Sequence, residues 1–106
     1  MLTQLRDIIW AERLDINQRL SVHELQTLDA LTRRYPTGVS IYRMAKAYAL
    51  NNQLEQAEYW LLRACKFAGP EECGYFEKNW EQEGLQFGAM KKIPWPPANG
   101  HGRKFD

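Results

Sequence analysis

Cys65 and Cys73 are the residues of this 106-residue chain with the clearest chemical potential. Between them lies Lys66-Phe67-Ala68-Gly69-Pro70-Glu71-Glu72. Cys65 falls at the end of one helical pattern and Cys73 at the start of the next. A helix–loop–helix return brings such ends within disulfide reach. Closing a loop of nine residues contributes about 2.6 kcal/mol in the chain-entropy account. The alternative is a pair of buried free thiols in a reducing compartment, each packing as a small apolar side chain. Zinc is a poor reading, because two cysteines need histidine help. His23 and His101 are distant in sequence, and no CxxC or HxxxH spacing occurs.

Other chemistry-bearing residues have equally plain readings. Glu81 and Glu83 lie two apart on a helical pattern and point in different directions, so they are no glycosidase pair but part of a solvated face. Tyr75, Phe76, Trp80 and Trp95 have the composition of a sugar-binding platform, yet helical spacing makes them core first. His23 sits in an exposed capping turn, and His101 in a Gly-rich tail. No GxSxG, Walker loop or HExxH is present, and no cofactor is implied. Fourteen basic and thirteen acidic residues are spread evenly, which argues against a nucleic-acid partner. The longest apolar runs, such as Tyr59-Trp60-Leu61-Leu62, are far too short to span a bilayer. Arg6 and Asp7 interrupt the apolar stretch that a secretory leader needs.

The elements that position these residues are all helical. Residues 3–14 carry Leu5, Ile8 and Ile9, with Ile16 beyond, near one face. Residues 21–34 open on a Ser21–Glu24 capping box and expose a Leu25, Leu28, Leu31 stripe, with Arg33 and Arg34 at the negative end of the macrodipole. Pro36 stops that helix. Residues 39–50 repeat Ile41, Met44, Ala45, Tyr48 and Ala49 at i, i+3, i+4, i+7, i+8. Asn51-Asn52 marks a turn. Residues 53–68 line up Leu54, Ala57, Leu61, Ala64, Cys65 and Ala68, and Gly69-Pro70 closes them. A further helix over 71–83 places Cys73, Phe76 and Trp80 together, and Gly84 ends it. Residues 85–92 are ambiguous. The expectation is an all-α fold: a small helical bundle over 1–92 and a Pro/Gly-rich tail over 93–106. Pro94-Trp95-Pro96-Pro97 is extended, and Trp95 is placed to pack back on the helices.

The hairpin of about residues 38–70 resembles a tetratricopeptide repeat. Ala45 and Tyr48 stand at the small and tyrosine positions of the first helix, and Ala57, Leu61 and Ala64 at the small, large and small positions of the second. Ile41 replaces the usual tryptophan, and the closing proline comes one residue late. One repeat cannot stand alone, so the flanking segments act as caps. Tyr42, Arg43 and Lys46 fall on the hairpin's concave side as candidate partner-binding residues, with a plain solvated face as the alternative.

A second resemblance covers roughly residues 20–85. Arg34-Tyr35-Pro36-Thr37, Met44-Ala45-Lys46-Ala47-Tyr48-Ala49-Leu50 and Leu54-Glu55-Gln56-Ala57-Glu58-Tyr59-Trp60-Leu61, followed by Cys65, look like the C-terminal periplasmic region of bacterial O-oligosaccharyltransferases. These pilin glycosylation ligases are related to O-antigen ligases and Wzy-type polymerases. The resemblance implies a piece of a membrane-embedded enzyme that moves a glycan from a polyprenyl-diphosphate carrier to a protein serine or threonine. The family's catalytic histidine and arginine lie in regions that nothing here matches, so no catalytic residue carries over. The implied role is accessory: positioning an acceptor such as a pilin, or contacting the parent's own membrane region, at the periplasmic face of the inner membrane. Such a location favours the Cys65–Cys73 bridge. A stand-alone repeat-type adaptor that binds a partner protein is the competing expectation.

Overall fold

The computed structural model describes residues 2–93, and among them there are six helices and no strand. They are α1 (Leu2–Arg13), α2 (Val22–Arg34), α3 (Gly38–Leu50), α4 (Leu54–Ala68), α5 (Pro70–Gly84) and the single turn α6 (Gly88–Lys91). The expected tail, with Trp95 and His101, lies outside the described residues. Ile93 does not behave as tail: it is buried in the core.

Local chemistry sets the helix starts. Ser21 caps α2 by accepting from the Glu24 amide at 3.1 Å, while the Glu24 carboxylate accepts from the Ser21 amide at 3.0 Å. Thr37 and Ser40 form a second reciprocal box at the start of α3, at 3.0 and 2.9 Å. The sequence pattern hides this one, because a serine takes the place of the usual Glu or Gln. Pro70 begins α5 instead of merely closing α4. It occupies the first helical position, where a missing N–H costs nothing.

α3 and α4 form the predicted antiparallel hairpin, turning through Asn51, Asn52 (φ 60°) and Gln53. Ala45, Ala57 and Ala64 have no exposed surface, so the two backbones approach closely. Met44, Ile41, Leu61 and Trp60 fill the space around them, each fully buried. Burying a side chain of that size contributes roughly 1.5–3 kcal/mol. α2 packs on one side of α3, α5 on α4, and α6 against both α5 and α3. α3 is therefore the central element, and nine of its thirteen residues are buried.

The junction between α4 and α5 is a single residue, Gly69, which ends one helix and starts the other. Its φ of +92° with ψ of 174° lies in a region that only glycine occupies readily. Gly38 marks a close approach of a different kind. A Cβ there would displace the exposed Glu72 carboxylate and stand 3.1 Å from the Ala68 Cβ, so the start of α3 lies close against the α4–α5 corner.

α1 departs most from expectation. Its apolar residues do not share one buried face: Leu5 is 55% exposed and Ile9 38%, while Ile8 and Ala11 are half-buried. Ile16 does reach the core, but from the loop after the helix.

Candidate functional site

Tyr42, Arg43 and Lys46 do not project from a concave surface. Tyr42 and Lys46 are buried, and Arg43 is half-buried. The reason is that α3 is covered on almost every side, so its polar residues face other elements and not solvent. The Tyr42 hydroxyl donates to Glu83 Oε1 at 2.9 Å. Its ring stacks on Phe76 at 4.8 Å and meets Trp80 edge-on at 5.9 Å. Burial, followed by the neighbouring Glu83 charge, pushes the Tyr42 hydroxyl well above its ordinary pKa.

Lys46 Nζ donates to Glu83 Oε2 and, at 2.6 Å, to Asn17 Oδ1, and it lies 4.7 Å from the centre of the Phe87 ring. A buried ammonium is tolerable only with such partners. One cation thus gathers the loop after α1, the end of α5 and the α5–α6 connection. Arg43 donates to the Ala11 carbonyl and the Leu14 carbonyl, both at 3.0 Å, and so caps the carboxyl end of α1. Desolvation lowers its pKa from the ordinary guanidinium value. Tyr48 completes the set by donating to Asp29 of α2, whose other oxygen accepts from Arg33 at 2.5 Å. Burial and the Asp29 contact raise the Tyr48 pKa as well.

Cys65 and Cys73 are joined as a disulfide, with Cα atoms 4.6 Å apart. Both residues are buried on the faces that α4 and α5 turn toward each other. Phe76 and Trp80 are core residues, while Tyr75 is 65% exposed, so these three do not assemble into a stacking platform. The Trp80 indole donates to the Met90 and Ile93 carbonyls at 3.1 and 3.0 Å and ties α6 to α5. Glu81 is exposed, but Glu83 has become a structural partner. His23 is exposed. Among the described residues, no group of three or more His, Cys, Asp or Glu is placed to hold a metal ion, and no helix is long and apolar enough to cross a membrane.

One surface was missed by sequence reasoning. A cleft of about 160 Å³ opens between α1, α2 and α3. Its walls include Ile8, Leu28, Leu31 and Tyr35, and Arg43 and Ser40 stand at its polar margin. Its only sequence signal is the excess of apolar residues on α1 over what one buried face can use.

No known protein family, curated protein or solved structure matches the chain.

Proposed function

We propose that this chain is a non-catalytic helical module that engages a partner protein through the cleft between α1, α2 and α3. The observation that carries the reading is the pairing of that cleft with the outer side of α1. Ile8 and Ala11 line the cleft, and the same short helix exposes Leu5, Ile9 and Trp10. Partner sites characteristically combine an apolar, concave centre with a few polar groups that fix orientation. The cleft is the size of one large side chain, which suits an apolar anchor residue on a peptide or helix. The antiparallel α3–α4 hairpin with Ala45 and Ala57 at its contact supports a repeat-like scaffold, an architecture used to present such surfaces.

A selection of displayed peptides against the folded chain tests this. Leu31→Arg places a charge in the cleft wall and is expected to weaken selected peptides tenfold or more. Peptides that bind Leu31→Arg as well as the parent would remove the cleft from the reading.

One further observation favours the more specific assignment, an accessory periplasmic domain of an O-oligosaccharyltransferase. The Cys65–Cys73 bridge supports it, because disulfides persist in oxidising compartments such as the bacterial periplasm. On this reading the partner is a glycan acceptor such as a pilin, or the parent's own membrane region. Titrating a pilin-type acceptor peptide into isotope-labelled protein should shift resonances of Leu28, Leu31 and Tyr35. An unchanged spectrum at millimolar peptide would leave the stand-alone adaptor as the better account.

A further inference from the structure

Arg43 is a half-buried cation that forms no ion pair with a described carboxylate. It stands in the wall of the cleft between α1, α2 and α3. Lys46 and Arg33, by contrast, pair with Glu83 and Asp29. Arg43 faces two backbone carbonyls, those of Ala11 and Leu14, each at 3.0 Å. Carbonyls are dipoles, so they hold the guanidinium in place without cancelling its charge. They take one N–H from each terminal nitrogen, and the Nε–H and the second N–H of each terminal nitrogen remain. Desolvation lowers the Arg43 pKa, and the charge of Glu12, an exposed residue of the same wall, raises it by less. The nearby hydroxyls are already committed: Thr32 donates to the Leu28 carbonyl at 2.7 Å and Ser40 to the Thr37 carbonyl at 3.0 Å. An apolar cleft thus has an uncompensated, pre-positioned guanidinium at its margin.

We propose that the cleft recognises an apolar side chain flanked by a carboxylate, the apolar group entering between Ile8, Leu28 and Leu31 and the carboxylate pairing with the remaining N–H groups of Arg43. This rests on the reading of the cleft as the partner site and names the chemistry of its occupant. The cleft volume of about 160 Å³ admits one large side chain. A carboxylate matches the planar fork of a guanidinium, and such charge-assisted bonds are stronger than neutral ones. Because the two carbonyls already fix Arg43, little ordering is left for binding to supply. Glu12 limits the charge that fits. A single negative charge is tolerated beside it, while a dianion such as a phosphate monoester is repelled more strongly. On a protein partner the matching feature is a Leu, Ile or Phe next to an Asp or Glu.

The test varies the ligand and leaves the protein intact. The probes are 3-phenylpropionate and its neutral amide, 3-phenylpropanamide, which share one shape and differ in charge. Each is titrated into the isotope-labelled full chain, and the resonances of Leu28, Leu31, Tyr35 and the Arg43 side chain are followed. The carboxylate is expected to bind about tenfold more tightly than the amide, with both shifting the same apolar residues. Glu12→Gln, a change at an exposed position, should tighten the carboxylate about threefold and leave the amide unchanged. Equal affinity of acid and amide at the cleft would overturn this inference while leaving the cleft as an apolar partner site. Carboxylate shifts confined to the surface around Arg33 and Arg63 would also overturn it, since the pairing would then be with an exposed guanidinium elsewhere. Absence of binding by either probe up to its solubility limit would overturn both this inference and the reading of the cleft on which it rests.

Discussion

Lys46 and Glu83 are unequal partners, and the inequality has consequences. The Lys46 side chain is 4% exposed and that of Glu83 is 31%. Removing Glu83 strands an ammonium in the core with only Asn17 and the Phe87 ring for company. Removing Lys46 leaves a carboxylate that water can reach. Glu83→Ala is therefore expected to cost about 2 kcal/mol, and Lys46→Met, which keeps the buried volume apolar, less than half of that. Chemical denaturation of both variants decides it, and a larger loss for Lys46→Met would contradict the burial argument. The buried tyrosines make a second prediction. Folding raises the pKa of Tyr42 and of Tyr48 above the ordinary value near 10. The unfolded chain then loses these protons before the folded one does. Their contribution to stability is complete below about pH 10 and declines as pH rises above it. Absorbance of phenolate near 295 nm should show two tyrosines that ionise only as the helical signal is lost. Stability of Tyr42→Phe should fall less steeply with pH in that range than stability of the parent.

At the scale of the elements, α3 and α4 are held together by small residues. Ala45 has no exposed surface, so Ala45→Leu has no free space for three extra carbons. It should destabilise the bundle by roughly 1–3 kcal/mol. An unchanged melting temperature would show that the hairpin is not closely packed there. This packing was legible in the sequence, because Ala45 and Ala49, four apart, and Ala57 and Ala64, seven apart, alternate with larger apolar residues on their helix faces and so describe a close helix contact. So were the Ser21 box, the stop at Pro36 and the shared face of Cys73, Phe76 and Trp80. Four features were not legible. The burial of Tyr42, Lys46 and Ala47 depends on α3 being covered from several sides, and periodicity describes only one face at a time. The role of Glu83 depends on a partner 37 positions away. The start of α5 at Pro70 was hidden because a proline after a glycine signals a stop and a start equally well. The cleft escaped notice because α1 carries apolar residues on both sides, so no stripe marks the side that docks.

The whole molecule is organised around α3 as a hub, with polar anchors from it to α1, α2 and α5. Tyr48 reaches α2, Lys46 and Tyr42 reach α5, and Arg43 reaches α1. The anchors do not carry equal shares of the packing around them. α2 and α5 also bury full apolar residues such as Leu25, Leu28, Phe76 and Trp80. α1 packs mainly on α2, with its residues from Leu5 onward half-buried or exposed. Arg43 is thus a larger fraction of what holds α1 than any other anchor is of its own helix. Local opening should follow this order, with α1 released most readily and α3 and α4 last. Arg43→Leu removes both hydrogen bonds to the Ala11 and Leu14 carbonyls while leaving the α3–α4 contact intact. Amide exchange in α1 is expected to quicken about tenfold or more, with α3 and α4 nearly unchanged. Uniform quickening across all helices would mean that α1 is integral to the bundle and that the cleft is part of its core. Selective loosening would mean that α1 is a separately held wall of the cleft. A partner that inserts an apolar side chain there would then bind Arg43→Leu more weakly, because the wall it needs would be undocked for more of the time.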